Sequence, residues 1–148
     1  MRPSSSLFPG VPSDVLVHSG FRDTHSATAR AILAEVENLI SSKNATSVVA
    51  VSPNLFRFVW VTGVLTDHDR LQVGHSLGGA IAELDTIYLR LNLPRSVTVR
   101  GVTYGTPRVG NLAWANWFNS KVSAQYILLS FDSRRPGWAD HSWRCKCV

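Results

Sequence analysis

Gly74-His75-Ser76-Leu77-Gly78-Gly79 is the segment of this 148-residue chain whose residue types and spacing can support covalent chemistry. The order Gly-x-Ser-x-Gly suits a serine hydroxyl held out of a tight turn between a strand and a helix. Gly74 and Gly78, two residues before and two after Ser76, leave room for strand and helix to pass closely around it. The backbone N–H of Leu77, at the start of the following helix, can then donate to a developing oxyanion. Ser76 is thus the candidate nucleophile and Leu77 the candidate oxyanion-hole residue, with Gly74 and Gly78 as the elbow glycines. The plainer alternative is a glycine-rich turn. The motif opens a strongly patterned helix, as the chemistry requires, and this favours the elbow.

The elements that must position this turn follow from apolar spacing. Leu77–Leu91 reads as a helix with Ala80, Ile81, Leu84, Ile87, Tyr88 and Leu91 facing inward. An earlier helix is expected to start at a cap on Asp23 or Thr24 and to run to about Ser42, with Ala29, Ile32, Leu33, Val36, Leu39 and Ile40 on one face. Asp14–His18, Thr46–Ala50 and Ser96–Tyr104 carry the short apolar or alternating pattern of strands. Gly105–Gly110 reads as a loop, and Asn111–Ser120 as a short helix carrying Trp114, Trp117 and Phe118. Strands alternating with helices predict an α/β fold, a mainly parallel sheet flanked by helices, in one domain.

Val17-His18-Ser19-Gly20-Phe21, the helix behind it, Val73–Gly79 and Tyr104–Asn111 together resemble the successive blocks of the fungal lipase-type (class 3) α/β-hydrolases, in that family's order. The likeness covers Leu7–Ala50 and Val73–Lys121. It implies an incomplete α/β-hydrolase fold over residues 7–121, with residues 122–148 an unmatched tail outside the fold. It also implies a serine ester hydrolase of the triacylglycerol lipase or carboxylesterase type, acting through an acyl-enzyme on Ser76. A Ser-Asp-His triad, no metal, no cofactor, a lipid or other ester substrate and an extracellular setting come with the resemblance. A feruloyl-type esterase, or a non-catalytic remnant that binds lipid or a partner, are the other readings.

The chain departs from the family pattern in two places. A strand buried on both faces should be an apolar run, yet Thr66-Asp67-His68-Asp69-Arg70-Leu71-Gln72 precedes Val73-Gly74. Four ionisable side chains there would have to be desolvated. Deleting Val51–Gln72 joins Ala50 to Val73 and restores the pattern without a gap. Those 22 residues correspond to 66 nucleotides, a multiple of three. Val51-Ser52 can be encoded GTG-AGT, a splice donor, and Gln72 can be CAG, an acceptor. Val51–Gln72 therefore reads as a retained intron translated in frame, with a true insertion loop as the alternative. Lys121-Val122-Ser123 can carry the same donor, and the likeness stops there. The triad aspartate and histidine lie downstream in the family, so chain order leaves only Asp132 or Asp140, and His141. The family's second oxyanion donor lies upstream of Val17–Phe21 and has no counterpart. The chain as written is expected to be inactive.

Composition narrows the remaining possibilities. The formal charge of +5 suggests an anionic partner, but the matched body holds eight basic against six acidic residues. With no basic helix face interleaved with aromatics, a nucleic-acid partner is not expected. No apolar run approaches the roughly 20 residues of a membrane-spanning helix. The first ten residues lack the apolar centre of a signal peptide. Cys145 and Cys147 supply neither a disulfide scaffold nor a zinc site. His18 reads as structural, His75 as packing beside the turn and Arg108 as a loop anchor. Trp114, Trp117 and Phe118 read as a helix-packing cluster, with lipid-interface contact as the alternative.

Overall fold

The computed structural model describes residues 1–51, 58–62, 74–104, 106–122 and 126–129. In chain order the elements are α1 (Ser19–Lys43), β1 (Ser47–Val51), β2 (Phe58–Thr62), β3 (Gly74–His75), α2 (Leu77–Asn92), β4 (Thr98–Tyr104), α3 (Leu112–Lys121) and β5 (Tyr126–Leu129). Strands and helices alternate from β3 onward, as the α/β reading expects.

The sheet is organised on β4. Strands β1, β3 and β5 all pair with it in parallel, and β2 pairs antiparallel with β1. Helix α2 lies against β4 and β1, with α1 packed on α2. Such a helix has no polar face to spare. Between Gly79 and Leu89 every residue of α2 except Glu83 is buried. Its side chains join two apolar clusters. One gathers Phe8, Val15, Leu84, Ile87, Trp114 and Phe118, among others, and the second gathers Val36, Val48, Leu89, Leu93, Val97 and Val99.

Helix α1 buries Ala29 and Val36, with Ile32, Leu33 and Ile40 packed partly against the core, as the spacing predicts. Its end is set by Asn44 in the left-handed region (φ 49°, ψ 38°), whose N–H returns to the Ile40 carbonyl. Asparagine tolerates that conformation better than most side chains.

The start of α1 differs from expectation. Neither Asp23 nor Thr24 caps it; the helix begins four residues before Asp23, with His18 at the capping position. Tertiary contacts fix the chain there. Val17 bridges Gly110, the His18 N–H donates to the Val109 carbonyl at 2.8 Å, and the His18 ring sits 4.7 Å from that of Phe21. Asp23 instead meets the Arg22 guanidinium at the surface. The expected strand over Asp14–His18 reduces to that single bridge, because Val15 and Val17 are buried among helices rather than beside a strand.

The tail also differs. Tyr126-Ile127-Leu128-Leu129 forms β5 and pairs with Gly101–Tyr104, so residues 122–148 are not wholly outside the fold. Its unbroken apolar run of four is the kind of sequence from which parallel strands are built.

Candidate active site

Ser76 stands at the junction of β3 and α2 with φ 58° and ψ −126°. Positive φ in a residue with a Cβ is sparsely populated, costs on the order of 1–3 kcal/mol, and persists only where the surroundings impose it. Asn44 is the other described non-glycine residue with positive φ, and it closes a helix. Ser76 opens one. Its carbonyl accepts from the N–H groups of Gly79 (3.0 Å) and Ala80 (3.4 Å), so the backbone is committed to the first turn of α2. Its side chain makes no capping bond and is half-exposed.

Leu77 follows with an exposed side chain (64%), unusual for so large an apolar residue next to a core helix. Its amide lies in the first turn, where N–H groups have no partner within the helix and the helix dipole is positive. Gly78 is half-exposed in the same turn.

The third glycine has a packing role. A Cβ on Gly79 would fall 2.4 Å from Thr106 Oγ1 and 3.3 Å from Thr103 Cβ. Only a bare backbone lets α2 sit this close to the end of β4. Gly74 lies in β3 and pairs with Thr103, so the same part of β4 supports the turn from both sides.

Triad partners do not gather at Ser76 among the described side chains. His18 occupies the start of α1. His25, which the sequence reading did not single out, is wholly buried 3.4 Å from Asp85 Oδ1. Neither of its ring nitrogens makes a hydrogen bond among the described residues. Phe8 stacks on it at 5.3 Å and Tyr88 meets it edge-on at 5.4 Å. Asp85 lies nine residues beyond Ser76 on α2, about 13 Å along the helix axis, where its carboxylate serves α1–α2 packing. A signal for His25 existed: it precedes Ala29 by four residues on the buried stripe of α1. Burial keeps the Tyr88 phenol above its ordinary pKa, assisted by the Glu37 and Asp85 carboxylates and opposed by Arg30. Asp132, Asp140, His141, Cys145 and Cys147 lie outside the described residues, as does the side chain of His75.

Arg108 anchors its loop, its Nε donating to the Gly110 carbonyl at 2.8 Å. Trp114, Trp117 and Phe118 are buried, with the Trp114 indole N–H donating to Glu83 Oε1 at 2.6 Å. They pack in the core cluster, as the sequence reading preferred. No helix among the described residues is long and apolar enough to cross a membrane.

A serine at positive φ between a parallel strand and a buried helix has the backbone geometry that an α/β-hydrolase elbow requires. Comparison with known proteins agrees on the class. The class 3 lipase family pattern matches residues 65–132. A secreted mono- and diacylglycerol lipase of Fusarium solani is 33% identical over 121 residues, covering 81% of this chain and 28% of that protein. One of Malassezia restricta is 30% identical over 81 residues, covering 54% of this chain and 26% of that protein. The crystal structure of a triacylglycerol lipase from Penicillium expansum shares the fold, with a TM-score of 0.63 and 23% identity over 88% of this chain and 40% of that one. Rhizomucor miehei lipase, in its propeptide complex, aligns with a TM-score of 0.52 and 25% identity over 78% of this chain and 31% of that one. These relatives are all lipases, and the chain is similar to the class 3 lipase type over residues 65–132. It spans about a quarter of the length of the secreted lipases it matches.

Proposed function

We propose that this chain carries the nucleophile region of a secreted lipase acting on acylglycerols or related esters, with Ser76 as nucleophile. The observation behind this reading is the Ser76 backbone, strained at φ 58° where β3 meets α2. In the reaction Ser76 Oγ attacks the ester carbonyl carbon and passes its proton to a histidine. The Leu77 N–H donates to the oxygen as it gains charge, and the tetrahedral adduct then expels the alcohol, which takes that proton. Water repeats the sequence on the acyl-enzyme and releases the acid. The relatives named as secreted mono- and diacylglycerol lipases support both the ester substrate and an extracellular setting.

The chain as it stands lacks a competent triad in this reading. Acyl transfer needs a base within hydrogen-bond reach of the nucleophile and a group to orient that base. His18 and His25 are held in structural roles. Asp132 and His141 are the groups that chain order leaves, and no motif recommends them. A serine without its base retains only the part of catalysis that comes from the oxyanion hole and binding. The test is hydrolysis of a short-chain p-nitrophenyl ester by the purified protein beside Ser76→Ala. The two should match. Turnover well above that control, abolished by His141→Ala, would show that the tail supplies the base and that the chain is an active esterase.

A further inference from the structure

The pairing of β4 decides how β1 and β3 are related. Gly101 pairs with Ala50 of β1 and with Tyr126 of β5, and Thr103 pairs with Gly74 of β3 and with Leu128 of β5. A strand has two edges, so β5 occupies one and both β1 and β3 occupy the other. Along that shared edge Ser47, Val48, Val49 and Ala50 face Thr98, Val99, Arg100 and Gly101, while Gly74 and His75 face Thr103 and Tyr104. One residue of β4, Val102, separates the two runs. In the sequence, the 23 residues Val51–Val73 separate them.

A single parallel strand has room for one residue opposite Val102, and the chain offers Val73, directly before Gly74. If Val51–Gln72 is removed, Ala50 is followed by Val73. The six residues from Ser47 through Ala50 and on through Gly74 and His75 then keep their present partners on β4 without a slip, while the antiparallel pairing of β1 with β2 goes with the deleted segment. Side chains alternate between the two faces of a sheet, so a join one residue shorter or longer would reverse every side chain on one side of it. Val51 fits this boundary, pairing with Phe58 of β2 as the ladder between β1 and β4 ends at Ala50.

We infer that β1 and β3 are two halves of one strand, interrupted by an in-frame insertion whose limits are Val51 and Gln72. The form without it carries Ser76 on a continuous strand beside β4. The inference deepens the reading of Ser76 as an elbow nucleophile, but it rests on backbone register. Hydrogen exchange and melting report on the strand whether or not the serine turns over substrate, so the two readings fail separately.

The experiment compares the full chain with three deletions: Val51–Gln72, Val51–Leu71 and Val51–Val73. Exchange is followed at the β4 amides, and thermal unfolding is recorded for each. Only the 22-residue deletion keeps register, so its β4 amides should exchange on the order of tenfold more slowly than those of the other two and of the full chain. Its midpoint should be the highest of the four. Equal protection in all three deletions, folded or unfolded, would overturn the inference, as would greater protection in the full chain. Message amplified across the codons for Ala50 and Val73 should contain a product 66 nucleotides shorter than the one encoding the full chain. A single long product would count against removal in the cell.

Discussion

The turns that lead from β3 into α2 and from β4 into α3 are built in opposite ways. The turn between β3 and α2 centres on Ser76, a half-exposed residue with positive φ whose side chain makes no capping bond. The turn between β4 and α3 centres on Gly110 and Asn111, where hydrogen bonds close on one another. The Asn111 side-chain oxygen accepts from Leu16 N (3.1 Å) and Trp114 N (3.0 Å), and its amide donates to the Asp14 carbonyl at 2.8 Å. Its own backbone N–H donates to Leu16 O at 3.0 Å. One turn ties the segment before α1 to the cap of α3 and holds the molecule together. The other keeps a strained backbone at a half-exposed residue, the pattern expected where a fold gives up stability for a reacting group.

Breaking the closed turn should have the largest effect. A Cβ on Gly110 would lie 2.4 Å from the Leu16 carbonyl oxygen and 2.7 Å from Cβ and Cγ of Trp114. Backbone and a buried indole cannot both move away cheaply. Gly110→Ala should cost about 3 kcal/mol, lowering the melting temperature by roughly 6–12 °C at this chain length. A shift under 2 °C would mean that the bridge between Val17 and Gly110 is looser than its geometry implies.

Asn111→Ala removes the α3 cap and the two ties to residues 14–16 while adding no clash. Loss of an N-cap alone costs about 1 kcal/mol, and the lost bonds raise the expected total to about 2 kcal/mol. Chemical denaturation should show a lower midpoint with an unchanged slope. Asn111→Asp retains the oxygen that caps Trp114 N and Leu16 N, so it should recover part of that loss. Equal losses for the two variants would place the effect in the amide bond to Asp14 instead.

The closed turn and its surroundings show what a sequence reveals. Helix α2 was legible because apolar residues recur along its length at helical spacing, and its start was marked by glycines with a physical purpose. The stripe of α1 was legible from Ala29 onward. Its first turn was not, because nothing local distinguishes Ser19 from Thr24; the contacts of Val17 and His18 with residues 109 and 110 choose the starting point. Those contacts join positions more than 90 residues apart. Val15 and Val17 looked like a strand because burial produces the same apolar run, whatever covers it. β5 was overlooked for the converse reason. Its four apolar residues carry no family motif, and a strand of that length is recognised mainly by its partner. At the candidate site the strand-to-helix turn at Ser76 was readable, whereas the His25–Asp85 pair needed the packing of α1 on α2.

The open turn should respond with the opposite sign. Ser76→Gly relieves positive φ and adds backbone freedom to the unfolded chain, two effects that partly cancel. With on the order of 1–3 kcal/mol of strain against roughly 0.5–1 kcal/mol for glycine, a net gain of about 1 kcal/mol is expected. Ser76→Ala keeps the Cβ and should stay within about 0.5 kcal/mol of the parent. In a form that turns over substrate, both should lose hydrolysis. A stabilised glycine variant beside an unchanged alanine variant would locate the strain in the backbone. Equal stabilities would indicate that the turn is relaxed, and the contrast between the two turns would then be one of exposure alone.

The smallest effect concerns the core beneath both turns and appears only at alkaline pH. Burial, the largest influence on the Tyr88 phenol, disfavours its charged form, and Glu37 and Asp85 add to this against the pull of Arg30. Its folded pKa therefore lies above the unfolded value, about 10. A group with a raised folded pKa contributes stability that is fully present below the unfolded value and is lost as pH rises through the folded one. Below about pH 9 both states hold the proton and the slope from this group is zero. Above about pH 10 the unfolded chain releases it first, so unfolding is favoured. Tyr88→Phe cannot ionise, and a ring of the same shape still meets Phe8 and His25. Melting temperatures of parent and variant, measured from pH 8 to pH 11, should fall together up to about pH 9.5 and then diverge, the parent falling further. Parallel curves through pH 11 would mean that Tyr88 ionises as easily folded as unfolded, and that water reaches the core beside His25.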